Sequence, residues 1–421
     1  MPEFSLRRAP LFALAIGLLL CLICGLAAHA QDSAAGAGSQ EEANKQLLQR
    51  ISELEAKVKQ LEEKEASPPP AAAPAPAPAP EPEPVVEQPP VNAVADRLKL
   101  LLFGDTGYQI GHYYGPTSTF ELGEFDMFAT ARLTDRVSVL GEVLYTFGED
   151  NFISVDLERL ILKYRQNDYF AASIGRIHTD IGYYNTAFNR GDYFQTAIGR
   201  PAMYEFDDQG GFLPMQDLGI VLEGKIPSGK VGLNYVFEVT NGRAYGANAQ
   251  PAQNSSDGNN SKAVNLNLSA KPEPVPGLIV GFSARHDYLT DVLNQHISEW
   301  IPVAYVVFTN STYEWLNEGM LVTHTLPGGT VFRTPGFYTQ FSRRFGHFRP
   351  YFRYSYVNAA ANEPIYGNAL ELPAVGRING PTAGLRFDFT RFTAFKLQFD
   401  REGARGLQAT NGGAAQFDFT F

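Results

Sequence analysis

The sequence predicts an all-β fold: a closed, antiparallel, transmembrane β-barrel of sixteen strands, preceded by a short coiled-coil helix and a proline-rich linker. Three observations lead to this fold class. Apolar and polar side chains alternate over many short segments, short and long connections alternate between those segments, and 30 Phe and 20 Tyr stand against 2 Trp. Successive side chains of a strand point to opposite faces, so each segment has one apolar face and one polar face. A membrane barrel has lipid outside and water inside, and it needs this pattern.

Residues 1–30 have the organisation of a secretory signal peptide. The basic pair Arg7-Arg8 is followed by a long apolar run and by Ala28-His29-Ala30, which has the A-x-A pattern of a cleavage site. An uncleaved membrane anchor is the alternative, because the apolar run is long. The two cysteines, Cys21 and Cys24, both lie in this run. The mature chain is therefore expected to contain no thiol, which excludes disulfides and cysteine-ligated metals.

Residues 31–66 contain a predicted coiled-coil segment in the periplasm. Ile51, Leu54, Val58 and Leu61 follow one another at spacings of three and four, which is the a/d seam of a heptad repeat. A seam this short is marginal alone, so we expect a helix only where something else holds the chains together. β-branched residues at a with Leu at d favour dimers.

The oligomeric state of this coil is open between three interpretations. Arg50-Ile51-Ser52-Glu53-Leu54-Glu55 resembles the short signature of parallel trimers, and we favour the trimer. The core-packing preference for dimers is the second interpretation, and a solvated single helix is the third.

Residues 67–96 form a proline- and alanine-rich linker. Such a run adopts an extended polyproline II conformation and forms no core. It is suited to hold the coil away from the membrane inside the periplasm. This arrangement implies peptidoglycan as a partner of the coil and linker.

The barrel is predicted to span residues 97–421, in which short turns and long loops alternate between strands. In outer-membrane barrels the short turns are periplasmic. Since strand one follows a periplasmic linker, both ends of the barrel lie on that side and the strand number is even. The predicted strands are Leu98–Gly107, Phe125–Leu133, Val137–Phe147, Ile153–Tyr164, Tyr169–Ile177, Leu218–Lys225, Val231–Thr240, Val264–Ala270, Leu278–Asp287, Trp300–Phe308, Tyr313–Thr323, Phe337–Phe345, His347–Val357, Leu385–Thr390, Phe395–Arg401 and Ala415–Phe421.

Two of these strands have irregular patterns. The segment Ile153–Tyr164 breaks its alternation near Arg159. Pro350 interrupts His347–Val357, where a ladder hydrogen bond is lost. The predicted count is therefore sixteen, with a range of fourteen to eighteen.

The C-terminal segment alternates as a membrane strand does. Phe417, Phe419 and Phe421 fall on one face, with polar side chains between them. A face made of Phe needs an apolar cover, which membrane lipid supplies. We expect the barrel-assembly machinery to bind this strand, with Phe421 as the assembly signal.

The longest insertion, residues 179–216, is the third long connection. The segment Gly175-Arg176-Ile177-His178-Thr179-Asp180-Ile181-Gly182-Tyr183-Tyr184-Asn185, followed by Thr196-Ala197-Ile198-Gly199-Arg200-Pro201, resembles the same region of Gram-negative trimeric outer-membrane porins. It is most similar to the phosphate-selective group and its uncharacterised relatives. The resemblance implies a homotrimer in the outer membrane, a loop folded into the pore as a constriction, and passive diffusion of small hydrophilic solutes and ions without a cofactor.

The resemblance and the strand parity together give a set of candidate pore residues. We expect an acidic loop to face a basic wall, which creates a field across the pore. The alternative for each wall arginine is an ion pair with a nearby carboxylate that only stiffens the barrel. The candidate residues are Arg176, Tyr183, Tyr184, Arg190, Arg200, Glu205, Asp207, Asp208, Arg285, Arg349, Arg353, Arg386 and Lys396.

Other function classes find no support in the sequence. The net charge is -11 without a basic surface for nucleic acid. There is no glycine-rich phosphate loop, and the histidines are not spaced as metal ligands. We therefore expect neither an enzyme nor a metal site. Lysine is scarce in the barrel region, which favours a general porin over a phosphate- or anion-selective one. A structural tether to the cell wall is the second alternative.

Overall fold

The computed structural model describes the barrel region with gaps in its long loops. The described residues are 97–111, 117–147, 153–188, 193, 195–205, 213–243, 259–290, 296–360, 362–363, 376–404 and 408–421. Outside them lie the predicted signal peptide, the linker and the following candidate residues: Ile51, Leu54, Val58, Leu61, Arg190, Asp207 and Asp208. Within the described residues, no helix is long and apolar enough to cross a membrane.

Sixteen antiparallel strands form one closed barrel, which confirms the predicted fold class. Each strand is hydrogen-bonded to its neighbours in the chain, and the first strand pairs with the last. The strands are β1 (Leu98–Ile110), β2 (Thr119–Arg132), β3 (Val137–Phe147), β4 (Ile153–Asn167), β5 (Phe170–His178), β6 (Gln216–Lys225), β7 (Leu233–Thr240), β8 (Ala263–Ala270), β9 (Leu278–Thr290), β10 (His296–Thr309), β11 (Tyr313–Thr325), β12 (Val331–Arg343), β13 (Phe348–Asn358), β14 (Arg377–Asp388), β15 (Thr393–Ala404) and β16 (Thr410–Thr420).

Closure of the barrel uses the alternating C-terminal strand. β16 pairs with β1 from Phe103–Thr420 to Ile110–Gly413. Beyond this ladder, Leu102 and Phe421 exchange two backbone hydrogen bonds of 3.0 Å. The backbone edge of the last strand is therefore satisfied to its final residue, as a structure in lipid requires.

Inward and outward faces follow the predicted parity in β9. Val280 and Phe282 point outward and are 42% and 50% exposed, while Ser283 and Arg285 point inward and are fully buried. The outward face thus presents apolar side chains to the membrane, and the inward face carries polar groups.

The two irregular patterns have structural counterparts. The β3–β4 register shifts between Glu142 and Val143, so that Glu158 and Arg159 both lie buried on the inner side. This is a β-bulge, in which one extra residue re-aims a side chain. The β12–β13 ladder ends at Ser342–Tyr351, directly before Pro350, which has no N–H to donate.

One part of the lumen is a hydrophobic core. The inward side chains Ile301, Val303 and Val307 of β10 are fully or almost fully buried. They belong to a cluster that includes Ile181 and Tyr204 from the β5–β6 connection. Short helices in the described connections cover Tyr184–Ala187, Ala202–Tyr204 and Gly229–Val231. The β5–β6 connection therefore lies inside the barrel, packed on the wall.

Candidate channel constriction

The constriction loop, defined here as residues 179–215 between β5 and β6, has a closed neck. Thr179 N donates to Met215 O at 3.0 Å. Asn185 Nδ2 bridges both strands of the neck, donating to Thr179 O at 2.8 Å and to Met215 O at 2.9 Å. The neck is buried, so these bonds fix how the loop leaves the wall.

The first turn of the loop binds the inner face of β7, β8 and β9. Asp180 N donates to Glu238 Oε1 at 3.0 Å, and Asn265 Nδ2 donates to Asp180 O at 3.0 Å. Gly182 N donates to Ser283 Oγ at 2.9 Å. Polar side chains of three consecutive strands therefore satisfy the backbone of this turn, which has no secondary structure of its own to do so.

Glu318 on β11 anchors the middle of the loop. Its carboxylate accepts the backbone N–H groups of Tyr183 at 2.7 Å and Tyr184 at 2.9 Å. It also accepts the hydroxyl groups of Tyr204 at 2.8 Å and Tyr338 at 2.6 Å. Burial and the Glu318 charge raise the pKa of Tyr204 well above its usual range, so its hydroxyl stays protonated and donates. Charge-assisted hydrogen bonds of this kind are about twice as strong as neutral ones.

Basic side chains of β13 and β14 bind the far part of the loop through its backbone. Arg386 Nη1 donates to Tyr193 O at 2.5 Å and to Gln195 O at 2.8 Å. Arg353 Nη1 donates to Gly199 O at 2.9 Å. The two guanidinium groups thus meet carbonyl oxygens of the loop, and Arg386 also pairs with Asp388 on its own strand at 2.7 Å.

Gln398 on β15 completes this contact. Its Oε1 accepts Ile198 N at 2.8 Å, and its Nε2 donates to Ile198 O at 2.9 Å. A side-chain amide thereby pairs with one loop residue as a strand neighbour would. Arg349 of β13 is held more loosely, at 3.4 Å from Thr196 Oγ1 and 3.8 Å from Glu314 Oε2. The loop consequently spans the lumen from β5 to β15.

The comparisons with known proteins concern this barrel. Over 77% of this chain and 100% of the other, it is similar to the anion-selective porin from Comamonas acidovorans, with 11% identity and a TM-score of 0.53. It is also similar to the outer membrane channel DcaP of Acinetobacter baumannii, with 10% identity, 77% and 97% coverage and a TM-score of 0.50. No protein-family model and no curated protein sequence matches the chain. The chain has the porin fold. At such low identity the likeness concerns architecture alone.

Two candidate residues are interior ion-pair members of this porin barrel. Lys396 is fully buried, with its Nζ 3.2 Å from both Asp418 and Gln416. Arg285 is likewise fully buried and contacts Asp217 at 2.6 Å. Both side chains can act on a passing ion only through their field. Their assignment to the pore stays a prediction.

The remaining described candidates differ in their burial and in their contacts. Arg176 is buried and donates to Gln216, which in turn donates to Glu158. Arg200 on the loop is buried and interacts electrostatically with Glu158. Tyr184 is buried in the hydrophobic core, whereas Tyr183, Glu205 and Arg349 are partly exposed. The structure thus brings the loop and the wall arginines together, while the field across the pore remains a prediction.

Sequence reasoning did not identify the anchors Glu318 and Gln398 or the apolar docking wall. The sequence of the strand Trp300–Phe308 indicates this wall, because its side chains are apolar on the inward face as well as on the outward face. A strand of this kind is covered on both faces. In a barrel, lipid covers only one face, so such a run indicates where an internal loop packs.

A second buried charge network ties long connections to the wall. His324 of β11 has Nε2 2.7 Å from Glu299 Oε2 and Nδ1 2.7 Å from Glu363 Oε1. Each ring nitrogen of His324 thus lies within hydrogen-bond distance of a different buried carboxylate. Arg243 pairs with Glu299 and donates its backbone N–H to Asp287 Oδ2 at 2.8 Å. The β7–β8 and β13–β14 connections, which supply Arg243 and Glu363, are thereby fixed to β9, β10 and β11.

Metal-ligating side chains do not cluster in the part of the chain that is described. No group of three His, Cys, Asp or Glu residues there has an arrangement that could hold a metal ion.

Proposed function

We propose that the chain is an outer-membrane porin, a water-filled channel through which small hydrophilic solutes and ions diffuse passively. One observation carries the proposal: a closed barrel of sixteen strands holds its β5–β6 loop inside the lumen, bonded to strands as far away as β15. A barrel of this size encloses an aqueous channel unless something fills it. A loop fixed across the lumen narrows that channel without closing a site around a substrate. A channel, rather than an enzyme, fits this arrangement.

Membrane lipid is the partner of the outer face, and the outer membrane is the proposed location. Large apolar side chains point outward on successive strands and are about half exposed, among them Phe282, Trp300 and Phe399. Rings also cluster near the short turns, where Phe387 and Phe389 lie 4.7 Å apart between centroids. Such an aromatic girdle is typical of the membrane interface in outer-membrane barrels.

Ion preference is proposed to come from the wall arginines and the loop. Arg349 is partly exposed and has only long contacts, so part of its charge faces the lumen. An anion-selective channel is the alternative that these side chains favour, and one structurally similar protein is described as an anion-selective porin. Reversal potentials in a salt gradient test this. Arg349→Gln and Arg353→Gln should reduce anion preference, and an unchanged preference in both variants would contradict the role.

The finer features of the assembly are proposals from the sequence. The segment Arg50-Ile51-Ser52-Glu53-Leu54-Glu55 supports a homotrimer, joined through the seam of Ile51, Leu54, Val58 and Leu61, with its N-terminal extension in the periplasm. There the coil and linker would contact peptidoglycan. The alternating C-terminal strand supports recognition by the barrel-assembly machinery through Phe421. A tether to the cell wall, with the barrel as an anchor, is the competing function.

Recording from planar lipid bilayers tests the proposed function. Purified, heat-modifiable protein should insert in discrete, ohmic current steps that persist without any cofactor. Folded protein that inserts without producing current steps would overturn the proposal.

A further inference from the structure

A cavity lies between the constriction loop and the wall formed by β6 to β10. Its volume is about 340 Å³, and it reaches the short-turn end of the barrel. The loop contributes Asp180 and Tyr183, and the wall contributes Asn267, Lys271 and Tyr305. The cavity is large enough for a solute of several heavy atoms that has entered the channel.

The charged groups of this cavity differ in whether they are paired. Glu223 is neutralised by Lys163, and Lys225 by Asp168 at 2.8 Å. Within the described part of the chain, neither Asp180 nor Lys271 forms a direct ion pair, although the charge of Lys271 acts on Asp180 through space. The cavity therefore presents a carboxyl group on the loop and an ammonium group on the wall that are not joined in a direct ion pair, with Arg165 as a further cation at the turn end.

Asn267 organises the loop side of the cavity before any solute arrives. Its Nδ2 lies 3.2 Å from Asp180 Oδ1 and 3.1 Å from Gly182 O. Its Oδ1 accepts the hydroxyl of Tyr305 at 2.8 Å. One amide thus fixes both a charged group and an aromatic ring. A preorganised site of this kind loses less entropy when it binds a solute.

Two aromatic rings form the apolar surface between the charges. The rings of Tyr183 and Tyr305 are 6.0 Å apart between centroids and inclined by 37°. The face of a tyrosine ring attracts a cation, so the rings add to the attraction of Asp180 for an ammonium group. They also offer contact area to an apolar side chain.

We propose that this cavity is a binding subsite for small zwitterions of the amino-acid and short-peptide class. The solute ammonium group binds Asp180, its carboxylate binds Lys271, and its body lies against the two tyrosine rings. A simple ion satisfies only one of these charges, and a neutral saccharide satisfies neither. The assignment rests on the proposed channel function, since the solute reaches the subsite through the lumen.

Burial raises the pKa of Asp180 from 3.8 to about 7. The nearby carboxylate of Glu223 adds to this increase, Asn267 and Lys271 oppose it, and Glu238 of β7 also faces Asp180. The carboxyl group therefore becomes charged as the pH rises through that value. Zwitterion binding should strengthen between about pH 6 and about pH 7, because the α-amino group of a short peptide, with a pKa of about 7.7–8.0, keeps most of its charge over this range.

The experiment measures single-channel block by alanylalanine at increasing concentration, in the wild type and in three variants. The probe should reduce the open-channel current in a saturable way, and its N-acetylated amide, which carries no charge, should not. Asp180→Asn keeps the oxygen that Asn267 binds, and Lys271→Gln alters an exposed turn side chain. Each should raise the half-blocking concentration about tenfold, the equivalent of one charge-assisted hydrogen bond. The matched control is Lys230→Gln, an exposed lysine of a neighbouring turn that does not line the cavity.

The outcomes separate the subsite from the channel. Absence of any current in folded wild-type protein refutes the channel and leaves the subsite without access. Normal current with equal block by the dipeptide and its neutral amide refutes the subsite alone. So does a half-blocking concentration that changes no more in Lys271→Gln than in Lys230→Gln. If heat modifiability shows that Asp180→Asn does not fold, the comparison of Lys271→Gln with Lys230→Gln tests the subsite.

Discussion

At the scale of single residues, the constriction depends on a buried carboxylate whose hydrogen bonds in the described part of the chain come from neutral donors. Glu318 is almost fully buried and is satisfied by two loop N–H groups and two tyrosine hydroxyls. A buried charge is tolerated when its hydrogen-bonding capacity is filled. Its four donors are neutral, and three of them belong to the loop. The fixed position of the loop is thereby coupled to the charge of one wall residue.

Replacing Glu318 with Gln should loosen the loop. In glutamine, one carboxylate oxygen is replaced by an NH₂ group, which donates and cannot accept. The donors that faced this oxygen lose their acceptor, which costs about 3 kcal/mol of stability. We expect higher single-channel conductance and more current noise. The control is Glu314→Gln, an inward carboxylate of the same strand that contacts Gln340 and Arg349 of the wall and has no described hydrogen bond to the loop. Equal conductance of both variants and the wild type would contradict the anchoring role.

Gly182 and Gly199 form a second matched pair on the loop. Both have a positive φ, +71° and +68°, so alanine costs about 1–2 kcal/mol of backbone strain at either position. A Cβ atom at Gly182 would also lie 2.4 Å from Glu318 Oε2, whereas nothing lies within 4 Å of one at Gly199. Gly182→Ala should therefore lower the temperature of heat modification and alter conductance much more than Gly199→Ala. Similar effects would show that backbone strain alone matters.

At the scale of elements, the sequence predicts all sixteen strands, but many of the predicted strands are shorter than the observed ones at the long-loop end. β12 begins at Val331 instead of Phe337, and β14 begins at Arg377 instead of Leu385. Beyond the lipid, a strand continues its ladder without an apolar outer face, so periodicity no longer marks it. β3, by contrast, has the predicted bounds, because apolar side chains extend to both of its ends.

The path of the constriction loop was predictable only in outline. Its length and position indicate an insertion, and inward parity correctly places polar groups such as Arg353 on the wall. The pairing of Gln398 with Ile198 joins residues 200 positions apart. No local periodicity encodes such a contact, since it depends on how the loop packs once the barrel has closed.

His324 should control how firmly the long connections are held. His324→Gln replaces a ring that contacts both Glu299 and Glu363 with an amide that has one donor atom, so at least one of these buried carboxylates loses its hydrogen bond. Breaking a buried pair in this way costs about 3–5 kcal/mol. We expect a lower midpoint in urea unfolding and more frequent closures in bilayer recordings. His296→Gln, an exposed histidine at the long-loop end of β10, is the control.

At the scale of the whole molecule, the even strand number follows from a topological requirement more than from any one strand. Short turns and both ends of the barrel lie on one side, which requires an even number of strands. The observed number is sixteen despite the bulge at Glu158 and the end of the β12–β13 ladder before Pro350. Charge balance is less predictable. The wall arginines meet loop carbonyl oxygens, which a count of acidic and basic residues does not reveal.

Deleting residues 40–92 separates the channel from the tether. The barrel strands begin at Leu98, so the shortened chain keeps every strand and should keep the wild-type conductance per channel. Cells that produce it should retain envelope integrity if the barrel is the functional part. Loss of integrity with unchanged conductance would favour the tether.

The most direct test of a loop-narrowed, water-filled barrel is the single-channel conductance after residues 180–213 are replaced by a short Gly-Ser linker. The neck residues Thr179 and Met215 remain, and all sixteen strands are intact. The conductance should rise severalfold over the wild type, because the lumen of a sixteen-stranded barrel is wide once its filling is removed. A folded variant with the conductance of the wild type would contradict the account.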